Sequence, residues 1–244
     1  MTIILHRFPF SHFSEKARAA LDFKELDYRV EDHTPGPGQI AIYRLSGQRK
    51  VPVLEHDGTI VTDSTQICFY LDRAFPDRRP LLPQDEAKRR EAVALEDRID
   101  EVLGKTTPFL GLRKDARDER AREALNLNGS PVTAVFLDAA AAVFRAAEGS
   151  ITSFSTFLEK ADHDARALLR DLVRRLETSK YLVGDEPSLA DIAAVGLAQP
   201  LKALPSRYLP SPALAGASIA SFTEDPQLAP FFAWRDKFFS DYLH

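Results

Sequence analysis

The sequence predicts two units, a small α+β unit built on a mixed four-stranded sheet and an all-helical unit after it. Three observations predict this. Strand and helix signatures alternate over residues 1–80, the stretch Phe75 to Asp85 (FPDRRPLLPQD) interrupts both periods with three prolines, and nearly everything beyond it carries helical spacing. The units are placed at 1–80 and 88–244, with a linker at about 75–87.

Each element has its own signal. Thr2 to His6 (TIILH) is β-branched and apolar, a short buried strand. From Ser11 the period changes: Phe13, Ala17, Ala20 and Leu21 form one helical face, and Glu15, Lys16, Arg18 and Asp22 occupy the other. LDYRVED reads as a second strand, and HTPGPG (His33 to Gly38) has turn chemistry. VPVLEHDGTIVTDS reads as a hairpin, with strands Val51 to Glu55 and Thr59 to Val61 around Asp57-Gly58. DSTQICFYLDRAF returns to helical spacing, with Ile67, Tyr70, Leu71 and Ala74 on one side. The order is β-α-β-(loop or short α)-β-β-α: one parallel βαβ unit closed by an antiparallel hairpin, hence a mixed sheet.

In the second unit, Asp85 to Gly104 is a helix with Gly104 at its C′ position. Ser130 to Gly149 starts with Ser-Pro and ends in glycine, the expected helix punctuation. Asp162 to Gly184, Ser188 to Leu204 and a last helix within Asp225 to Leu243 follow. Ser188-x-x-Asp191, flanked by Pro187 and Ile192, is a capping-box variant with a staple, and its role is folding. Arg113 to Glu123 is a solvated helix face, and Pro205 to Pro230 is a long loop with room for one short helix.

Composition excludes several function classes. Hydrophobic residues are 44%, charged residues 28% and the net charge is -4, so no global positive field points to nucleic acid or anionic lipid. No apolar run reaches the ~20 residues a membrane span needs. The single Cys68 forms no intramolecular disulfide and belongs to no CxxC pair; it is expected to be a buried structural thiol. The six histidines lack HxxxH-type spacing, and MTIILHRFPF lacks the flanks of a signal peptide. The expectation is a cytoplasmic protein without a structural metal.

Three places offer polar groups where backbone groups are free. Ser11 and Ser14 stand at the start of the first helix, where capping is the ordinary use of serine. Val51-Pro52 precedes a strand, and X-Pro bonds are cis in only ~5–6% of cases. Asp63-Ser64 precedes a helix, a position suited to capping or to anion binding.

Four segments in this order, FSHFSEKARAAL, KVPVLEHDG, TDSTQI and LVGDEPSLADI, resemble the cytosolic glutathione transferases over nearly the whole chain. The resemblance implies a thioredoxin-like first domain, a helical second domain, glutathione as co-substrate and a homodimer. It places Ser11 at the catalytic position of serine-type members, and Ser14 where some relatives carry a cysteine; Ser11 is favoured. It makes Val51-Pro52 a cis bond, with the Val51 backbone pairing the cysteinyl backbone of glutathione like an added strand. Ser64 receives the γ-glutamyl carboxylate, Asp63 meets the ammonium, even from across a dimer interface, and Lys50, Arg49 or Gln48 meets the glycine carboxylate. A hydrophobic electrophile binds between the domains, against Phe8, Phe10, Phe109 and Leu110, with the 205–230 loop as lid. His12 either hydrogen-bonds the substrate or is simply exposed, and the second is favoured.

The chemistry of such a site is quantifiable. A thiol with pKa near ~8.5 is only about 3% ionised at pH 7, and lowering that pKa by roughly two units takes about 2.7 kcal/mol. A hydrogen bond to a charged group contributes ~1.5–3 kcal/mol and a helix N-terminus a further ~0.3–1. Serine forms no mixed disulfide, so thiol-disulfide exchange is disfavoured, and conjugation to an electrophile or hydroperoxide reduction stays open. The alternatives are a glutathione-dependent isomerase or dehalogenase on the same scaffold, or a binding protein without turnover.

Overall fold

The computed structural model describes residues 2–34, 36–110, 151–206, 208–209 and 214–243. The expected helix Ser130 to Gly149 and the Arg113 to Glu123 stretch lie outside them.

Among the described residues the chain begins with β1 (Ile3–Arg7), α1 (His12–Phe23), β2 (Arg29–Asp32), α2 (Pro37–Ser46), β3 (Val53–His56), β4 (Thr59–Thr62) and α3 (Ser64–Ala74). The sheet order is β2-β1-β3-β4, with β1 parallel to β2 and both other pairings antiparallel, which is the expected mixed sheet. The segment read as loop or short helix is the helix α2, which starts on Pro37 and ends at Gly47 with φ 74.

No helix or strand occupies 75–85, after which come α4 (Glu86–Ile99), a π turn (Asp100–Gly104) and α5 (Lys105–Leu110). Gly104 therefore does not end its helix, as the sequence suggested. Its lack of a side chain serves packing instead: a Cβ there would lie 2.7 Å from Cζ of Phe13. The remaining helices are α6 (Ile151–Leu176), α7 (Leu189–Leu197), α8 (Ala220–Thr223) and α9 (Ala229–Tyr242). α6 begins before the Asp162 start expected for it, and α7 stops well short of Leu204, because Pro200 follows.

The core has two parts. Ile3, Leu5 and Leu54 of the sheet pack against Ala17, Ala20 and Leu21 of α1 and Ile67, Cys68 and Leu71 of α3. Leu95, Leu103, Leu168, Leu172, Leu197 and Phe231 anchor the helical part. α1 lies between them, so its charged face is buried as well: Lys16 is 0% exposed and Arg18 2%. Gly196 of α7 makes this possible, since a Cβ there would stand 2.6 Å from the Lys16 Cα.

The buried charges on α1 are paired. Arg18 bonds Glu15 at 2.8 Å and also Asp22, while Arg7 bonds Glu15 at 3.0 Å and Asp32 at 2.8 Å. Lys16 bonds Glu96, Asp100 at 2.7 Å and the Thr65 hydroxyl at 2.9 Å. Two carboxylates thus share one ammonium. Despite the burial that opposes it, their charge holds the Lys16 pKa above its usual value, while burial drives those of Glu96 and Asp100 upward.

Candidate active site

Strand register brings the sequence-predicted residues to one edge of the sheet. His6 pairs with Val53 and Val53 with Thr62. The end of β1, the start of β3 and the end of β4 therefore lie side by side. Ser11 follows the first, Val51-Pro52 precedes the second, and Asp63-Ser64 follows the third. Helices α1 and α3 both start at this edge, so two positive helix termini face it.

Ser11 is the N-cap of α1, with φ -82 and ψ 109, and its Oγ accepts the Ser14 N–H at 3.2 Å. Capping uses the oxygen's lone pair. The hydroxyl proton stays available, so capping and donation to an anion do not compete. An oxygen that accepts a hydrogen bond is also a more polarised donor. Ser11 is half-buried, whereas Ser14 is 0% exposed and its Oγ has no hydrogen-bond partner.

His12 departs from the expectation. It is 8% exposed, and its Nε2 lies 2.6 Å from the Gly104 carbonyl of the π turn. A carbonyl only accepts, so Nε2 carries the proton and donates. Burial lowers the His12 pKa, which keeps the ring neutral. The side chain ties the start of α1 to the helical unit, a long-range contact that local sequence does not signal.

The Val51–Pro52 bond is cis, as the resemblance implied. Val51 is half-buried and Pro52 buried. Asp63 has φ 71 and ψ 131, a conformation that costs a non-glycine residue ~1–3 kcal/mol. Its carboxylate accepts from the Thr65 N–H at 2.9 Å and the Gln66 N–H at 3.1 Å. The Ser64 N–H and hydroxyl are left at the first turn of α3, and Thr65 connects that turn to Glu96 at 2.6 Å. Of the three neighbours considered for a carboxylate, Arg49 sits over the Tyr43 ring, the Gln48 amide donates to the Lys50 carbonyl at 3.3 Å, and Lys50 is exposed.

The expected substrate wall is revised in part. Phe8 and Phe10 are half-buried neighbours with ring centres 5.6 Å apart, and Phe109 meets Phe157 edge-on at 5.5 Å. Leu110, however, is 0% exposed within the helical core, because α5 turns it inward. From the loop after Pro205, Tyr208 lies over the Arg7 and Arg18 guanidinium groups and accepts from Arg7 through its carbonyl at 2.7 Å. Cys68 is fully buried with its thiol pushed up to about 12, so it has the inert character expected of it.

Comparison with known proteins decides the family. The model for the glutathione S-transferase N-terminal domain matches residues 5–79, and that for the glutathione S-transferase C-terminal domain matches residues 137–214. The chain belongs to the glutathione S-transferase family. Glutathione S-transferase U24 of Arabidopsis thaliana is 32% identical over 127 residues, covering 51% of this chain and 58% of that protein. The chain thus spans little more than half the length of such plant relatives. Protein LigF of Sphingobium sp. is 28% identical over 221 residues, covering 83% of this chain and 80% of LigF. The crystal structure of the β-etherase LigF superposes with TM-score 0.62 at 26% identity, covering 96% of this chain and 99% of that one. A rice transferase crystallised with glutathione shares the fold, with TM-score 0.60 at 21% identity and coverage of 97% and 85%.

Among the described residues this glutathione S-transferase fold carries a histidine–carboxylate cluster that the site at the strand ends does not use. His6, Glu31 and His33 gather on the other face of the sheet. Local spacing missed it because strand pairing, which sets His6 opposite Glu31, forms it. The available signal was Glu31-x-His33, which projects both side chains to one side of an extended chain. Among the described residues, no helix is long and apolar enough to cross a membrane.

Proposed function

We propose that this protein is a glutathione-dependent transferase in which the Ser11 hydroxyl donates a hydrogen bond to the glutathione sulfur and holds it as thiolate. The supporting observation is the division of labour at the start of α1: Ser11 caps through its lone pair and keeps a free donor, while the Ser14 hydroxyl is sealed inside. One such bond plus the helix terminus contributes about 2–4 kcal/mol, enough for the ~2.7 kcal/mol that two pKa units require. Val51 at the cis bond pairs the cysteinyl backbone, with Pro52 fixing its direction. Ser64 takes the γ-glutamyl carboxylate at the start of α3, Asp63 the ammonium, and Lys50 the glycine carboxylate. Residues 1–80 form the glutathione-binding unit and 88–244 the helical unit, working as a cytoplasmic homodimer.

The second substrate is a hydrophobic electrophile that meets the sulfur beside Phe8 and Phe10. The likeness to LigF over four fifths of both chains favours a second reading, in which the thiolate displaces an ether oxygen. There the C–S bond forms, the C–O bond breaks, and the departing oxygen takes a proton. Both readings use the same nucleophile and differ only in the leaving group.

The test has two parts. Calorimetric titration with glutathione measures the peptide site, and Ser64→Ala is expected to weaken it about tenfold. Turnover of an aryl halide and of a β-aryl ether is then compared in wild type, Ser11→Ala and Ser14→Ala. Ser11→Ala is expected to lose roughly 10²-fold or more in kcat/KM with glutathione binding retained. Equal turnover in wild type and Ser11→Ala would refute the assignment, and absence of glutathione binding would refute the reading as a whole.

A further inference from the structure

We propose that His6, His33 and Glu31 form a binding site for a divalent transition-metal ion, on the face of the sheet turned away from α1. The face follows from alternation along β1. Leu5 packs in the α1–α3 core and Arg7 bonds Glu15 of α1, so His6 between them points to the opposite side. The site is therefore separate from Ser11 and independent of the function proposed above.

The three ligand atoms converge. His6 Nδ1 lies 3.0 Å from His33 Nε2 and 3.8 Å from a Glu31 oxygen, and His33 Nε2 lies 3.9 Å from the other Glu31 oxygen. Ligands bound at about 2.0–2.1 Å around a tetrahedral ion stand roughly 3.3 Å apart. The two imidazole nitrogens are already near that spacing, and one ligand atom from each of the three residues lies within 4.8 Å of the others, so the cluster closes on an ion chiefly by rotation of the exposed Glu31 side chain. The two imidazole nitrogens favour ions of the zinc, cobalt and nickel group over magnesium or calcium.

Glu55 completes the arrangement. It lies 3.3 Å from His6 Nε2, on the ring edge away from the cluster. It accepts a hydrogen bond from Nε2–H and leaves the Nδ1 lone pair facing His33 and Glu31. This is the carboxylate–histidine arrangement that orients metal-bound imidazoles. In the metal-free protein, His33 donates its Nε2 proton to that lone pair; on binding the ion, His33 carries its proton on Nδ1 instead. The scaffold is firm, since both histidine side chains are nearly buried, at 6% and 11% exposure. The first turn of α2 backs His33, where a Cβ on Gly38 would come within 3.0 Å of the His33 Cβ. Glu31, 58% exposed, opens the remaining coordination position to water.

The experiment uses untagged full-length protein, freed of metal by chelation and dialysis. Cobalt(II) is titrated with its visible absorption as readout, then displaced by zinc(II), and the zinc affinity is measured calorimetrically. One ion per chain is expected, with an imidazole–carboxylate cobalt spectrum. His33→Ala and Glu31→Gln, both at the end of an edge strand, are expected to lower affinity at least tenfold, and Glu55→Gln about tenfold or more. Circular dichroism verifies that each variant is folded, and zinc is expected to raise the Tm of wild type but not of His33→Ala. Absence of cobalt or zinc binding at tens of micromolar would overturn the proposal. So would binding that survives both His33→Ala and Glu31→Gln, or displacement of cobalt by magnesium at equal concentration.

Discussion

Among the described residues a serine is the N-cap of α1 and another is the N-cap of α7, and the two caps have opposite fates. At α7, Ser188 is 0% exposed and its hydroxyl donates to Asp191 at 2.8 Å. The same carboxylate also accepts the N–H groups of Ser188 at 2.8 Å and Leu182 at 2.9 Å. Every polar valence there is spent inside the protein. At α1, Ser11 spends a lone pair on the Ser14 N–H and keeps its proton, at a partly open position. A helix N-cap is thus structural or chemical according to whether its donor is left over, and residue type alone does not decide it.

The largest test of this contrast is removal of the Asp191 carboxylate. Asp191→Ala strips the acceptor from three buried donors, at about 1 kcal/mol or more each, so urea unfolding should show a loss of at least ~3 kcal/mol. Turnover per folded molecule should not change; a fall comparable to that of Ser11→Ala would mean that the two caps are not distinct in kind. Ser11→Ala should show the reverse. Its expected 10²-fold loss of kcat/KM corresponds to ~2.7 kcal/mol at the transition state, against about 1 kcal/mol or less in stability.

A pH series sharpens the structural side. Burial pushes the Asp191 carboxyl up to about 6, despite its three hydrogen bonds. The folded state therefore holds a proton that the unfolded state has released above about pH 4. Stability should fall as pH rises from about 4 to about 6, by roughly 2–3 kcal/mol from this group, and level off beyond. Because Glu96 and Asp100 shift in the same direction, the informative quantity is the difference between wild type and Asp191→Asn, whose slope should be shallower. Parallel curves would show that Asp191 is already ionised across the window.

The smallest effect is expected at Ser14. Its buried hydroxyl has no partner, so Ser14→Ala should leave stability unchanged or raise it by up to about 1 kcal/mol, with activity retained. A strong loss of turnover in Ser14→Ala would transfer the donor role to that residue.

Much of this was legible in the sequence. The element order of the first unit, the mixed sheet, the stretch without helix or strand at the prolines and the Ser188–Asp191 box all rest on local patterns, and local patterns survive folding. Ser11, Val51-Pro52 and Asp63-Ser64 stand at one edge because they flank strand ends, which a correct topology is enough to predict. What escaped was long-range. The burial of Lys16 with Glu96, the His12 bond to Gly104, the inward turn of Leu110 and the gathering of His6 with His33 all depend on which element lands against which. The same charged letters on α1 would suit a solvated face, and only the arrival of α7 distinguishes the two.

That arrival has a consequence for inheritance. A Cβ at Gly196 would lie 2.6 Å from the α1 backbone and one at Gly104 would lie 2.7 Å from the Phe13 ring, so the two halves of the chain meet through shapes that fit one another at two points. A chimera that joined this first half to the helices of a cousin bearing alanine at those places would have to push the first helix aside, and with it the serine at its tip. The halves are therefore constrained to evolve as a matched set, and shuffling them freely would shift the sheet edge that carries Ser11 before it broke the fold.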